Sequence, residues 1–424
     1  MSEWQTFCLK DLVKIFGGST PPTNNPKNYG NKIRWITAKD LSTLQGRYIK
    51  KGSRSISRLG FKSCSTFLLP KHAILFSVRA PIGYVAIAKK RLCTNQGFKS
   101  IIPNKKIYFE FLYYLLKYHK NNFINMGEGT TIKGIYNIAL GLFQVKIPPT
   151  YYEQQKIART LSVLDQKIEN NHKINELLHK ILELLYEQYF VRFDFSDENN
   201  KPYQTSGGKM KFSKELNRLI PNDFEVKTLG ELVDIFSGYS FQSNTYSNNK
   251  NDYILITNKN VQHSLVDLSI TTNLLFLPKK LPKYCLLEPT NILITLTGHI
   301  GRCALVFSKN CILNQRVGVV LPKEKELNPF YYSLIRNPLF SVILQRNAIG
   351  SSQQNLSPID TLKIQIPFNH KIIKQYSKTC ENIIKLLVSN MQATQTLTAL
   401  RDFLLPLLLK QQVKPKQKPK ISNN

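Results

Sequence analysis

The chain has 424 residues, 42% of them apolar, and carries 59 Lys and Arg against 27 Asp and Glu, a formal charge of +32. That length accommodates two cores of ordinary domain size, and so large a positive charge points to a polyanionic partner, nucleic acid first, rather than to a merely basic solvated surface. Seven cysteines with no Cys-x-x-Cys pair argue against a disulfide framework or zinc site, and with no leader pattern and no apolar run near the ~20 residues of a membrane span the expectation is a soluble, cytoplasmic protein with reduced thiols.

In chain order, Leu9 to Gly18 opens a pattern that returns as Leu229 to Gly238. The register then holds: Ile36-Thr37-Ala38-Lys39 on Ile256-Thr257-Asn258-Lys259, Ile74 to Ser77 on Ile292 to Thr295, and Ile82-Gly83 on Ile300-Gly301. Asn95-Gln96 falls on Asn314-Gln315, Phe111-Leu112-Tyr113 on Phe330-Tyr331-Tyr332, and Val145 to Pro148 on Ile364 to Pro367. A period of this length is far beyond a solenoid unit, so a whole domain occurs twice. The shared positions are mainly apolar or Gly, as expected of one scaffold used to read two different things.

Within each copy, short β-rich runs at Ile33 to Thr37, Ala73 to Val78, Tyr253 to Thr257 and Asn291 to Thr297 are punctuated by Gly, Pro and Asn, and a helical piece follows at Phe109 to Lys120 or Pro329 to Ile335. The mixture predicts a compact α/β domain. The basic excess is uneven: residues 1–150 carry 24 Lys and Arg against 5 acids, residues 221–368 carry 14 against 10, so the first copy is expected to supply more of the salt-dependent affinity.

From Glu153 the apolar spacing alternates fours and threes through Ile157, Leu161, Leu164, Ile168, Asn171, Asn175, Leu178, Leu182, Leu185 and Tyr189. This predicts a helix near 37 residues, roughly 55 Å at about 1.5 Å per residue. A counterpart runs through Ile373, Tyr376, Cys380, Ile383, Leu387, Asn390, Thr394, Leu397, Arg401 and Leu404. Both seams turn polar at matched places, Asn171 with Asn390, which lowers stability but fixes register. Two such helices most simply pair antiparallel; the alternative is that each folds back over its own domain. The polar segment 196–222 between the copies reads as an ordered or partly ordered connector, and the Pro/Lys-rich residues 412–424 as a disordered basic tail.

No catalytic set stands out. Asn337-Pro338-Leu339-Phe340 lacks the second Pro and the glycine loop of a base-flipping methyltransferase and reads as a turn. Gly127 to Gly134 lacks the Gly-Lys-Ser/Thr ending of a phosphate loop, and the seven histidines show no ligand spacing, so no metal or cofactor site is expected in this chain. What remains is basic and amide-rich sequence at loop positions. The candidate DNA contacts are Lys39, Arg79, Thr130, Thr131 and Lys133 in the first copy, and Asn258, Lys259, Thr297, Arg302, Arg316, Gln353 and Gln354 in the second. Arg and Lys suit guanine edges, Asn and Gln adenine edges, Thr phosphates. Asn95-Gln96 and Asn314-Gln315 occur in both copies and so read as scaffold.

Phe190 to Phe195, Asp197 to Tyr203 with Ser206 to Met210, and Leu216 to Pro221 resemble the central region of type I restriction-modification specificity subunits. Pro148-Pro149 before Glu153-Gln154-Gln155-Lys156-Ile157-Ala158 is similar to the start of that family's first spacer helix, Leu400 to Leu408 to the end of its second, and Gly350 to Leu356 to its late recognition-domain loop. The chain departs from the family at Thr150-Tyr151-Tyr152 and Phe368-Asn369-His370, and its second spacer start lacks Glu-Gln-Gln.

The resemblance implies an α/β (α+β) fold of two tandem target-recognition domains, 1–151 and 223–368, separated by spacer helices at 152–195 and 369–411 that form an antiparallel coiled coil. It also implies a non-catalytic subunit that reads a bipartite double-stranded DNA target. Two methyltransferase subunits would bring S-adenosylmethionine, and restriction subunits would bring ATP and Mg. The other classes kept open are an enzyme with its own nuclease or methyltransferase site, and an interaction protein whose basic surface binds RNA or acidic partners.

Overall fold

A computed structural model describes residues 3–79, 81–127, 134–247, 249, 252–262, 264–348 and 354–413. The chain divides into two compact units, Met1–Asn170 with Thr394–Asn424, and Asn171–Ala393, so each long helix contributes to both.

In the first unit a five-stranded sheet runs in the order Val13–Gly17, Phe98–Pro103, Ile74–Ser77, Val85–Ala88, Tyr48–Ile49. Beside it lies a three-stranded sheet ordered Arg54–Ile56, Tyr29–Ile36, Cys93–Thr94, and Gln5–Cys8 pairs antiparallel with Gln144–Ile147. Burial follows the strand pattern: Ile74, Leu75 and Phe76 are fully buried, with alternate side chains entering two cores, one of them closed by Phe111, Leu112 and Leu115 of the helix Phe109–Tyr118.

The second unit repeats the plan. Val233–Ser237 pairs with Val317–Pro322 in a four-stranded sheet that continues through Ile292–Thr295 to Cys303–Leu305, and Glu225–Thr228 pairs with Gln365–Phe368. In both units a short strand lies parallel to the one that precedes the Thr-led turn: Cys93–Thr94 beside Trp35 and Ile36, Cys311–Leu313 beside Tyr253–Ile256. The sequence repeat is therefore a repeat of topology.

Some shared residues have plain steric or hydrogen-bonding reasons. A Cβ on Gly18 would stand 2.0 Å from the Asn95 carbonyl oxygen, and one on Gly238 2.4 Å from that of Leu313, so only glycine admits the crossing strand. Asn95 N–H donates to Ile36 O at 3.0 Å and Asn314 N–H to Ile256 O at 3.1 Å; each side-chain oxygen then accepts a backbone N–H two residues on. Those asparagines close the scaffold.

The long helices span Tyr151–Tyr186, 36 residues, and His370–Leu409, 40 residues. In the first unit Ile157, Ala158 and Leu161 share a core with Leu404, Leu405, Leu408 and Leu409 and with the domain's own Phe111 and Leu115. In the second unit Leu182 and Tyr186 share a core with Ile373, Tyr376, Cys380, Ile384, Leu387 and Val388. Early residues of one helix thus meet late residues of the other within each unit, which is antiparallel pairing, and each helix also lies on its neighbouring domain. Both sequence readings of the helices hold at once. The connector carries a hairpin, Met210–Ser213 with Arg218–Pro221.

Asn337 differs from its expected role. Its side chain accepts the Leu339 N–H at 2.9 Å, so it caps a nine-residue helix, Pro338–Arg346, with Pro at the first helical position, where the missing N–H costs nothing.

Candidate nucleic-acid interface

The reading elements of each copy are built alike. Thr37 follows Tyr29–Ile36 and closes a capping box with Asp40, its N–H and Oγ1 both bonded to the carboxylate at 2.8 and 2.7 Å; Thr257 does the same with Asn260 at 2.9 Å for each bond. Burial would raise the Asp40 pKa, but the hydrogen bonds from Ser53 and Thr37 outweigh it and hold the carboxyl below its ordinary value. A second turn follows Ile74–Ser77. Ser77 Oγ donates to Pro81 O and accepts from Tyr84 N–H, both at 2.8 Å, and Gly83 takes φ +94°. In the second copy Thr295 Oγ1 bonds His299 O and accepts from Arg302 N–H at 3.0 Å, with Gly301 at φ +77°. The left-handed position explains the repeated glycine.

On this common frame the side chains differ. Lys39 is exposed on the first-copy turn, and Arg79 is exposed on the second, where it bridges Gly134. Thr130, Thr131 and Lys133 lie outside the described residues; the segment holding them returns at Gly134, beside Arg79. Lys99, which the sequence reading did not single out, sits half-buried between Gly17 and Phe76 in the sheet. Burial, and then the neighbouring Arg79, lower its pKa. Two cations held together in this way suit an anion such as phosphate.

In the second copy Asn258 Nδ2 donates to both O and Oγ1 of Thr297 at 2.8 Å, so these two candidates bind each other and join the two turns. Asn258 Oδ1 is buried with no partner among the described residues. Thr297 bridges Asn355, and Gly298 N–H points at Gln354 O, 3.4 Å away, which brings the late loop to the same place; Gln353 lies outside the described residues. Arg302 Nη1 donates to Gln262 Oε1 at 3.2 Å, and Gln262 Nε2 donates to Lys259 O at 2.6 Å. Lys259, Arg316 and Gln354 are exposed. A groove lined by His299, Arg302, Gln354, Ser341 and Gln345 results. Ser341 and Gln345 were not singled out: they lie on the helix Pro338–Arg346, of which the sequence reading took the opening, Asn337 to Phe340, for a turn and left the rest unassigned.

Of the helix-pairing candidates, Ile157 and Leu161 in the first unit, and Asn171, Leu178, Ile383, Leu387 and Asn390 in the second, share cores or hydrogen bonds across the pair. Ile157, Leu161 and Ile168 are buried and Leu164 half-buried. In the second unit Asn171 Nδ2 donates to Asn390 O at 3.3 Å, Asn390 Nδ2 to Asn175 Oδ1 at 3.1 Å, and Asn175 Nδ2 to Leu387 O at 3.4 Å. The polar middle of the seam is thus satisfied across the pair, which is how such residues fix register. Leu178 and Ile383 pack at the edge of this core, with Ile384 and Val388 deeper than Ile383, and Leu397 is half-buried.

Sequence reasoning also missed what ties the first helix to its domain. Gln154 accepts the Tyr108 N–H at 2.7 Å and donates to Lys106 O at 3.0 Å and Pro148 O at 3.3 Å. Arg47 pairs with Glu110 at 3.1 Å and with Glu169 at 3.3 Å, and Tyr114 Oη donates to Asp165 at 2.6 Å while Arg401 reaches the same carboxylate at 2.8 Å. Among the described residues no cluster of three His, Cys, Asp or Glu is placed to hold a metal. His179 is buried against Tyr332 Oη at 2.8 Å, and burial, then Arg336, lower its pKa to about 3.

Residues 1–180 and 221–396 match the family described as the type I restriction modification DNA specificity domain. The chain belongs to that family. It is 32% identical over 414 residues, 96% of this chain and 93% of the relative, to the protein of Methanocaldococcus jannaschii named type I restriction enzyme MjaIX specificity subunit. The MjaVIII specificity subunit of the same organism is 26% identical over 91% of this chain and 87% of its own. The fold is that of the crystal structure of a type I restriction-modification S subunit from M. genitalium, which superposes over 98% of this chain and 97% of its own with a TM-score of 0.58 and 18% identity. As a member of this family the chain is a DNA sequence-specificity subunit with two recognition domains, and it is the non-catalytic component of its system. No helix among the described residues is long and apolar enough to cross a membrane.

Proposed function

We propose that each recognition domain reads one half of a bipartite, asymmetric duplex target, that the paired helices set the gap, and that their outer faces dock two methyltransferase subunits, joined in turn by restriction subunits. The observation that carries the division into half-sites is one frame with two side-chain sets: Lys39, Arg79 and Lys99 in the first copy, and Arg302, Gln345, Gln354 and Arg316 in the second. Thr130, Thr131, Lys133 and Gln353 remain candidates on the same loops. With Asn258 and Thr297 bound to each other, their part in this reading is to position the turn.

Docking is supported by a second apolar stripe. Ile174, Leu177, Ile181 and Leu184 are 41%, 65%, 44% and 51% exposed at helical spacing, on the face away from the seam. At the equivalent of the last two, the second helix exposes Leu400 and Phe403 by 43% and 64%. Two like faces suit two copies of one partner. The partners would supply S-adenosylmethionine, ATP and Mg, and the complex would work on chromosomal DNA in the cytoplasm.

The test is to insert seven residues after Asn170 and after Ser389 in the assembled system and map methylated bases in cells. Seven helical residues add about 10 Å, or about three base pairs at about 3.4 Å each, so the gap should lengthen by about three with both half-sites unchanged. Altered half-sites with an unchanged gap would overturn the reading.

A further inference from the structure

The two helix seams are alike in spacing but not in charge. In the first unit Asp165 is buried, its carboxylate held by Tyr114 Oη at 2.6 Å and Arg401 at 2.8 Å, with side chains 6% and 16% exposed for Asp165 and Arg401. Arg401 also pairs with the adjacent Asp402 at 2.7 Å. Carrying the equivalence of Asn171 with Asn390 along both helices and into the domain puts Ser333 at the place of Tyr114, Ile384 at that of Asp165, and Leu182 at that of Arg401. These three are buried at 7%, 3% and 2%, and Ser333 is satisfied by Tyr376 Oη at 2.8 Å. One repeat-equivalent place therefore holds a Tyr–Asp–Arg triad, and the other an apolar set closed by a Tyr–Ser bond.

We infer that this difference makes the helix pairing heterotypic, so that the first copy's helix accepts the second copy's helix and rejects another of its own kind. The argument rests on what each wrong pairing leaves behind. Two first-copy helices set antiparallel in the same register would place Leu182 where Arg401 stands, leaving each buried Asp165 without its ion pair, answered by the Tyr114 hydroxyl and by the weaker fields of Lys117 and Arg47. Two second-copy helices would set Arg401 against Ile384 and Ser333, with only Asp402 to answer it. Asn171 and Asn390 are equivalent and do not discriminate, while Asn175 has Thr394 as its equivalent, a neutral difference between two side chains that can each accept the Asn390 amide. A buried pair adds little stability over apolar residues of the same volume, whereas one partner left alone is strongly unfavourable. That asymmetry suits a device for choosing partners. The partner this surface fits is the other half of the chain, within one molecule or supplied by a second copy whose own pair has opened.

The test uses the full chain carrying a protease site after Ser206, in the exposed connector, cut after folding. Cut protein with and without an isotope label is mixed, allowed to exchange, and read by native mass spectrometry. Labelled first fragment should appear only with second fragment, its own homodimer being rarer by on the order of 100-fold. Replacing both Asp165→Ile and Arg401→Leu, the residues of the other seam, should let that homodimer appear. Homodimers from unmodified protein in the proportion of random re-pairing would overturn the inference.

A second measurement needs no exchange. In the intact, uncut chain, each single substitution should lower the unfolding midpoint, and the double should recover most of the larger loss. Strictly additive losses would show that the carboxylate and guanidinium do not depend on each other, and would also overturn it. Neither readout depends on DNA binding, so failure here is distinct from failure of the half-site reading.

Discussion

Replacing Arg47 by Met should loosen the first spacer helix from its domain. The Arg47 side chain is 3% exposed and pairs with two carboxylates, Glu110 at 3.1 Å and Glu169 at 3.3 Å, which are 13% and 19% exposed. Its backbone N–H also donates to Glu169 at 2.9 Å, and Tyr48 Oη donates to Glu110 at 2.6 Å. Burial opposes the guanidinium charge, but the fields of Tyr114, Glu169 and Glu110 more than offset it and raise the pKa above its ordinary value. Methionine keeps the volume and removes the charge, so two glutamates face each other with no cation between them. Breaking a buried pair costs about 3–5 kcal/mol, and partial solvation of the glutamates places this one at the lower end. At about 2–4 °C per kcal/mol for a unit of this size, the unfolding midpoint of the full chain should fall by about 6–12 °C in scanning calorimetry. Glu169→Gln should cost roughly half as much, because its amide oxygen still accepts the Arg47 N–H. A fall of less than about 2 °C for Arg47→Met would refute the reasoning, since the network would then hold nothing that water does not hold as well.

Three further outcomes follow from the same geometry. Gly238→Ala should lose about 1–3 kcal/mol from the clash with the Leu313 carbonyl, while Gly17→Ala, with nothing within 4 Å of its Cβ, should stay near neutral; urea midpoints of both variants check this. For His179 the folded pKa of about 3 lies below the unfolded value of about 6.5, so its contribution is complete above pH 6.5 and is lost as pH falls through that window toward 3. His179→Gln should flatten that part of the stability profile, and equal slopes for both proteins would contradict the assignment. Arg79→Ala should weaken binding to any duplex and reduce the slope of log affinity against log salt by about one, whereas an unchanged slope would remove Arg79 from the phosphate contacts.

That a domain occurs twice, and where its framework lies, is legible in the amino-acid sequence alone. Apolar spacing of two and of seven, repeated glycines and paired asparagines are local signals; the backbone clashes at Gly18 and Gly238 leave no alternative residue, and the left-handed positions of Gly83 and Gly301 favour glycine. The polar middle of the helix seams is legible too, because an amide in an apolar stripe is visible without a partner in view.

Which polar side chains have bonding capacity left over is settled by the three-dimensional fold. Asn258 and Thr297 look like readers in one dimension, yet 39 residues apart they meet and bind each other. Ser341 and Gln345 reach the second copy's groove from a helix whose cap resembled a turn. The asymmetry of the seam was likewise hidden: Arg401 stands in the heptad as an oddity until Asp165 and Tyr114, 236 and 287 residues earlier, are brought against it. The physical reason is common to these cases. Periodicity reports burial along one element, while the fate of a hydrogen-bonding or charged group is settled by what the fold brings within 3 Å of it, and that partner is usually far away in the chain.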